Sequence, residues 1–204
     1  GETVEDYLRI IGEEPTFKPT ETNVIPILEG DWFADDILAQ FKKFLRVTFG
    51  EENFAENLRF IEDALGKDLQ KYFLRDFYKD HVQMYKKRPI YWLFSSTNGG
   101  FNALIYMHRY TPETVSVVLN QYLREYRDKL TAHRTSLERI STTASARDKS
   151  QALKEIEDIT KTLAELKEYE DEVLYTLASQ QIQIDLDDGV KVNYAKFGDA
   201  LKKI

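Results

Sequence analysis

The chain has 204 residues, of which 42% are hydrophobic and 13% aromatic, enough for a sizeable core and too much for a disordered chain. It contains no cysteine, which excludes a disulfide framework, a thiolate metal site and a cysteine nucleophile. Its formal net charge of −7 argues against strong nucleic-acid binding by the chain as a whole, because phosphate binding requires positive charge, but a local basic face stays possible.

The ends and apolar runs of the chain bear on its location. No apolar run is long enough to cross a bilayer, and the acidic residues 1–6 lack the apolar region of a signal peptide. The chain begins with Gly1 rather than methionine. We therefore expect a cytoplasmic protein without membrane contact, and a chain that begins inside a longer one.

The first part of the chain predicts an edge strand and three helices. Residues 23–28 contain a proline, which is confined to strand edges and ends. Apolar residues at helical spacing then predict helices over residues 35–49 and 52–65. A third helix is predicted from Asp68 to the cations before Pro89, which forbids its continuation.

A β-hairpin follows these helices. Residues 90–94 and 101–107 are rich in β-branched and aromatic side chains, as strands are, and the turn-forming residues 95–100 separate them. Because both runs are apolar on both faces, we expect the hairpin to be buried among the helices.

The second half of the chain predicts a long antiparallel helical hairpin. Thr111 and Pro112 form a helix start, and seam residues, most of them apolar, then recur at steps of four and three from Val115 through Lys129 and His133 to Ile140. Residues 141–149 are predicted as a loop, after which the same spacing returns. The alternation of Val190, Val192 and Tyr194 predicts a short strand near the end.

The fold class predicted from these elements is mainly α (α+β). Residues 1–110 are predicted to form a recognition subdomain of helices and a β-hairpin. Residues 111–184 are predicted to form a coiled-coil spacer, and residues 185–204 a strand or tail that packs back on the first subdomain.

No constellation for catalysis or metal binding is found. Gly-rich phosphate loops and G-x-S-x-G elbows are absent, and Asp185 to Asp188 match a turn better than a cation loop. Glu165–Lys167 matches part of a nuclease signature, but Leu166 on the helical seam predicts that its two neighbours lie on solvated flanks. The histidines lack metal-ligand spacing: His81, His108 and His133.

The candidate DNA-binding residues lie around the β-hairpin. Antiparallel pairing brings the cations before its first strand close to those after its second, so Arg88 and Arg109 are predicted to be neighbours. The alternative stays open that these cations only cap a helix and that the tip is an ordinary turn. The candidates are Lys86, Lys87, Arg88, His108 and Arg109 at the ends, and Ser95, Ser96 and Asn98 at the tip.

Four stretches carry a resemblance to a known family. They are NVIPILEGDWFADD (23–36), KRPIYWLFSS (87–96), GFNALIYMHRY (100–110) and LDDGVKVNY (186–194). In this order, they resemble the C-terminal region of the PglX family, the adenine-specific DNA methyltransferases of BREX phage-defence systems. The similarity runs over nearly the whole chain.

The resemblance implies a role as part of a larger enzyme. Members of the family bind S-adenosylmethionine in a separate Rossmann-like domain and methylate N6 of adenine with an N-P-P-Y motif, which this chain lacks. We therefore expect this chain to bind no cofactor and to catalyse nothing itself. What carries over is target recognition, with double-stranded DNA as the partner of the full-length protein.

Two other functions are weighed against DNA recognition. The acidic total and the exposed helical hairpin fit a protein-interaction module that docks on other BREX proteins or on a second copy. An independent enzyme, such as a metal-dependent nuclease, is the weaker alternative.

Overall fold

A computed structural model of the chain describes residues 17–18, 20–143 and 145–204, so that the acidic residues 1–6 lie outside the described residues. The fold is mainly helical with one small sheet, as predicted, and the long helical hairpin is confirmed. Its strands and main helices are β1 (Val24–Pro26), α1 (Ile37–Phe49), α2 (Phe54–Leu65), α3 (Leu69–Arg75), α4 (Phe77–Met84), β2 (Tyr91–Ser95), β3 (Asn102–Tyr106), α5 (Thr114–Val117), α6 (Arg124–Thr143), α7 (Ala146–Tyr169), α8 (Tyr175–Gln180) and α9 (Gly189–Ala195).

The sheet is antiparallel, with β3 in the centre between β1 and β2. In the predicted hairpin, Tyr91 pairs with Tyr106 and Ser95 with Asn102. The proline-containing β1 lies at the edge, where Val24 pairs with Ile105, in agreement with the prediction that proline is confined to such a position.

Helices α1 to α4 cover one face of the sheet. Asp36 begins α1, and its side chain accepts a hydrogen bond from the backbone N–H of Ala39 at 2.7 Å. The predicted single helix from Asp68 is instead broken at Asp76 into α3 and α4. The buried side chains on this face are Ile27, Leu69, Phe73, Tyr78, Leu93 and Leu104.

The other face of the sheet carries the larger core. Trp92, Phe94 and Ile105 point into it and are almost fully buried. Helical-hairpin residues such as Leu123 and Leu166 pack against them. This core contains residues from all three predicted divisions of the chain, 1–110, 111–184 and 185–204. Their separation into domains stays a prediction.

The helical hairpin has two arms, residues 114–143 and 146–180. The predicted loop is shorter than expected, since α6 continues to Thr143 and α7 begins at Ala146, with Ser145 as N-cap. Each arm contains a π-helical segment, Val118–Leu123 in the first and Glu170–Leu174 in the second.

The C-terminal segment differs from its prediction. Val190, Val192 and Tyr194 lie in α9 rather than in a strand. The side chain of Asn193, which is fully buried, donates to the backbone carbonyl of Asp185 and stabilises this short helix. Beyond α9, Leu201 makes an isolated β-bridge with Phe94.

Candidate nucleic-acid interface

A groove of about 860 Å³ lies between α3 and α4, the tip of the β-hairpin and the C-terminal residues. Its floor is formed in part by buried side chains of the core between the sheet and helices α1 to α4, such as Phe73, Tyr78 and Leu93. Its charged and polar walls are formed by Glu29, Asp68, Gln70, Lys71, Arg75, Lys79, Gln83, Lys87, Asn98, Asn102, Thr162, Lys202 and Lys203.

The groove is basic although the whole chain is acidic. Of the residues that the structure describes, six cationic side chains line it against two acidic ones, Glu29 and Asp68, whereas the formal net charge of the chain is −7. Such a local excess of one charge sign concentrates counter-ions of the opposite sign. The charge of the groove therefore favours the approach of anions.

Most of these cations lack a partner in the described part of the protein. Lys71 pairs with Asp68 at 3.0 Å, and Lys203 makes a long, exposed pair with Asp199 at 3.9 Å. In the part of the chain that the structure describes, no hydrogen bond or ion pair engages the side chains of the other four: Arg75, Lys79, Lys87 and Lys202. Their charges are available to a ligand.

The local structure of α3 and α4 positions three of the cations. Lys71 and Arg75 lie four residues apart on α3, which places their side chains along one side of that helix, and Lys79 follows at the same interval on α4. The carboxylate of Asp68 caps α3 by accepting the backbone N–H of Lys71 at 2.9 Å. This hydrogen bond, together with that from the Lys71 ammonium, lowers the pKa of Asp68.

The spacing of four residues between Lys71, Arg75 and Lys79 is the sequence pattern from which this side of the groove can be predicted. The prediction from sequence rests instead on the cations at the ends of the β-hairpin. Lys202, by contrast, gives no signal in the sequence, because the bond from its backbone N–H to the carbonyl of Leu93, at 2.8 Å, is tertiary.

Lys87 reaches the groove through an uncommon backbone turn. Lys86 and Lys87 adopt left-handed φ values of 50° and 61°. The turn closes α4 by hydrogen bonds from Lys86 N to Gln83 O at 3.0 Å and from Lys87 N to Val82 O at 2.9 Å. Residues with a Cβ seldom adopt such φ values, and strain of this kind accumulates at functional sites.

The tyrosines of the groove add no negative charge. Burial raises the pKa of Tyr78, whose hydroxyl lies 3.1 Å from that of Tyr194. Burial raises the pKa of Tyr126 to about 12. Both phenols therefore stay neutral in the physiological range and leave the positive field of the groove intact.

The structure brings together two of the predicted DNA-binding residues, Lys87 and Asn98, which line the same groove. Asn98 is exposed at the hairpin tip. Its side-chain amide has no hydrogen-bond partner among residues 17–18, 20–143 and 145–204. Lys86 and Arg88 are exposed beside Lys87 but do not line the groove.

Two predicted tip residues are buried. Ser95 and Ser96 are only 6% and 2% exposed. The hydroxyl of Ser95 donates to the carbonyl of Ser96, and the hydroxyl of Ser96 donates to Glu165. Because both hydroxyls are engaged within the protein, a role for these two residues in binding DNA stays a prediction.

The predicted residues after β3 lie apart from the groove. The strand ends are paired as expected, since Met107 N donates to Ile90 O at 3.0 Å. The Arg109 guanidinium, however, donates to the carbonyl of Thr20 at 3.4 Å, and the ring of His108 lies 5.1 Å from that of Tyr106. A role for these two residues in binding DNA stays a prediction.

The nuclease-like Glu165–Lys167 has a different structural role. Leu166 is fully buried on the seam, as expected. Glu165 does not lie on a solvated flank, because its carboxylate accepts hydrogen bonds from the hairpin tip. Among the described residues, no group of three histidine, aspartate or glutamate side chains is placed to hold a metal ion.

No helix in the described part of the chain is both long enough and apolar enough to cross a membrane.

Comparison with known proteins relates the chain to two curated enzymes, while no protein-family profile matches it. The chain is 43% identical over 193 residues to the adenine-specific methyltransferase PglX of Lacticaseibacillus casei (strain Zhang), a match that covers 89% of the chain and 16% of that protein. It is 36% identical over 207 residues to the adenine-specific methyltransferase BrxX of Escherichia coli O9:H4 (strain HS), covering 95% of the chain and 17% of that protein. The chain thus spans about one sixth of the length of these relatives.

Proposed function

We propose a function from the premise that this chain belongs, as a segment, to the PglX and BrxX family of adenine-specific methyltransferases. The chain recognises DNA for such an enzyme and catalyses nothing itself. Methyl transfer and the binding of S-adenosylmethionine are assigned to the part of the enzyme outside this chain. The sequence of the chain, which lacks the N-P-P-Y motif and a Gly-rich cofactor loop, supports this division.

The observation that carries the proposal is the basic groove beside the hairpin tip. It is lined by four cations that have no partner among the described residues, including Arg75, Lys79 and Lys87. Proteins hold the phosphates of DNA with such side chains, and these contacts fix the register of the duplex without reading its sequence. Asn98, whose amide is exposed in the same groove, has the donor and acceptor that can read a base edge, adenine in particular.

The helical hairpin supplies the spacer in this proposal. Helices α6 and α7, of 20 and 24 residues, extend about 30 and 36 Å at the α-helical rise. An enzyme that modifies adenine must take the base out of the stack. A rigid arm of this length can hold the recognition groove at a fixed distance from the module that performs the chemistry.

The test is the salt dependence of DNA binding by the intact gene product. Binding of a labelled duplex is measured at several salt concentrations for the wild type and for the double variant Lys79→Ala with Lys87→Ala. Each lost phosphate contact flattens the slope of log affinity against log salt by about one unit, so we expect about two.

A matched control changes the same charge elsewhere. Lys149 and Lys154 are exposed on α7 and do not line the groove. Their double substitution by alanine should leave the slope unchanged. The proposal fails if the groove variant and this control have the same slope as the wild type.

A second candidate function is protein docking by the far part of the helical hairpin. Ile140 and Leu153 are large apolar side chains that are 48% and 51% exposed there. Exposed apolar surface of this kind favours contact with another defence protein or a second copy. Sedimentation of the intact gene product, alone and with the other proteins of its defence system, tests it. Unchanged assembly in a Leu153→Glu variant would contradict docking at this place.

A further inference from the structure

The tip of the β-hairpin is held by one carboxylate oxygen from the helical hairpin. Oε1 of Glu165 accepts the backbone N–H of Asn98 at 2.8 Å and that of Gly100 at 3.2 Å. It also accepts the hydroxyl of Ser96. One side chain of α7 thus satisfies three donors of the turn between β2 and β3.

The turn is organised around this contact. The hydroxyl oxygen of Ser96 accepts the backbone N–H of Phe101 at 2.9 Å, and Gly99 N donates to the carbonyl of Ser96 at 2.9 Å. Asn102 supports the turn through its amide, which donates to the carbonyl of Gly99 at 2.8 Å. Glu165 therefore closes a network that is already internally bonded, and orients it with respect to α7.

The turn and α7 are closely packed at this contact. A Cβ atom on Gly100 would lie 2.9 Å from Oε2 of Glu165 and 3.3 Å from Cγ2 of Thr162. Both distances are shorter than ordinary van der Waals contact. A side chain at residue 100 would therefore require the Glu165 carboxylate and the Thr162 methyl group to shift.

The same turn forms one wall of the basic groove. Asn98, Gly99 and Gly100 line it from one side, and the cations of α3 and α4 from the other. The direction of the Asn98 amide into the groove thus depends on the contact between the tip and Glu165.

We propose that Glu165 is a positioning residue for sequence recognition: it fixes the hairpin tip against α7 so that Asn98 meets the base edges of the duplex held in the groove. This inference rests on the proposed function of the groove. The three hydrogen bonds all end on Oε1, so the role depends on the acceptor geometry rather than on the negative charge. The charge itself opposes phosphate binding nearby.

The substitution Glu165→Gln separates geometry from charge. Its carbonyl oxygen can take the place of Oε1 and accept the same three donors, whereas Glu165→Ala removes the acceptor. Gly100→Ala disturbs the same contact from the side of the turn. Glu168→Ala is the matched control, because Glu168 is exposed on the same helix and its loss changes the charge equally.

The experiment measures discrimination by the intact gene product. The probes are the duplex that the wild type selects from a random pool and the same duplex with its base pairs scrambled. For Glu165→Ala and for Gly100→Ala, we expect the affinity ratio of the two probes to fall about five- to tenfold, the order of one lost base contact. The slope of affinity against salt should stay that of the wild type, since the groove cations are untouched.

The two conservative variants complete the test. Glu165→Gln and Glu168→Ala should both keep the wild-type affinity ratio. Amide hydrogen exchange at Asn98 and Gly100 should accelerate in Glu165→Ala and much less in Glu165→Gln, which shows that the tip, and not the whole fold, has been released. Thermal melting identifies a variant that fails to fold.

The outcomes distinguish this inference from the proposed function. If Glu165→Ala and Gly100→Ala fold and keep the wild-type ratio while the groove cations matter, the positioning role is overturned and DNA binding by the groove stands. Loss of discrimination in Glu165→Gln equal to that in Glu165→Ala would also overturn it, because geometry would then not suffice. If Lys79→Ala with Lys87→Ala leaves the salt slope unchanged, the proposed function itself fails.

Discussion

Arg124 donates a hydrogen bond from Nε to Oε1 of Glu170 at 2.7 Å, and so joins the two arms of the helical hairpin where their π-helical segments lie. Arg127 donates to the other oxygen of the same carboxylate. Glu170 is only 8% exposed. Removal of one partner from a buried ion pair is strongly destabilising, because the remaining charge is left uncompensated.

Substitution of Glu170 should therefore destabilise the hairpin strongly. In Glu170→Ala, the guanidinium groups of Arg124 and Arg127 lose the carboxylate that they both contact. Nε of Arg127 is already buried without a hydrogen bond among the described residues. We expect a loss of about 2–3 kcal/mol in the free energy of unfolding, below the range for a fully buried pair because the Arg124 side chain is 43% exposed. Urea unfolding followed by circular dichroism measures it. An equal loss in Glu168→Ala would contradict the explanation.

The C-terminal segment should contribute to the stability of the sheet. Phe197 is fully buried, and its ring centroid lies 5.5 Å from that of Trp92 and 6.1 Å from that of Phe94. Phe197→Ala should lower the free energy of unfolding by about 3–5 kcal/mol, the usual range for removal of a core phenylalanine. Val192, which is 54% exposed on α9, provides the control. A Val192→Ala variant as unstable as Phe197→Ala would refute this account.

Lys87 should show opposite effects on stability and on binding. Glycine adopts φ values near 61° without a steric penalty, so Lys87→Gly should stabilise the folded chain by up to about 1 kcal/mol. The same substitution removes a groove cation and should weaken DNA binding. Lys79→Ala also removes a groove cation, but it relieves no left-handed φ, so only binding should change. Thermal melting and DNA titration of both variants check this; weaker stability in Lys87→Gly would show that the backbone is unstrained.

The stability of the chain should depend on the protonation of His81. Burial lowers the pKa of His81, whose Nε2 accepts the backbone N–H of Tyr91 at 3.1 Å. The unfolded chain then binds a proton more readily than the folded chain. The stabilisation by neutral His81 is complete above the unfolded pKa of about 6.5 and is lost as the pH falls through the lower folded pKa.

The pH dependence is checked by unfolding experiments between pH 8 and pH 5. The free energy of unfolding should fall in acid by at most about 1.4 kcal/mol per pH unit from this group. His81→Gln keeps an acceptor but does not titrate, so its curve should lack this contribution. Parallel curves for the wild type and His81→Gln would exclude His81 as the cause.

The elements with strong local patterns were predictable from the sequence, and those that depend on tertiary contacts were not. The aromatic and β-branched runs of the β-hairpin predict strands close to Tyr91–Ser95 and Asn102–Tyr106. The heptad spacing predicts both arms of the helical hairpin. The short alternation at Val190 to Tyr194 is ambiguous, because the first and last of these residues also lie one helical turn apart. Buried hydrogen bonds of Asn193 favour the helix there.

The candidate site was only partly predictable for a related reason. Lys87 and Asn98 are predictable as candidates because they lie beside and within a recognisable hairpin. Ser96 is buried where its hydroxyl donates to a carboxylate 69 residues away, and no local sequence pattern predicts that contact. Lys202 joins the groove because its backbone bonds to Leu93, and the sequence contains no sign of that pairing.

The π-helical segments also restrict how the length of this chain can vary among relatives. Deletion of one residue from Val118–Leu123 would restore the ordinary helical pitch, but every residue beyond it would turn by about 100° about the axis. Leu130 and Leu137, which are buried on the seam, would then face outward. Insertions and deletions are tolerable only in matched whole turns of both arms next to the far loop. Natural variation can thus lengthen or shorten the arm, while its direction stays fixed.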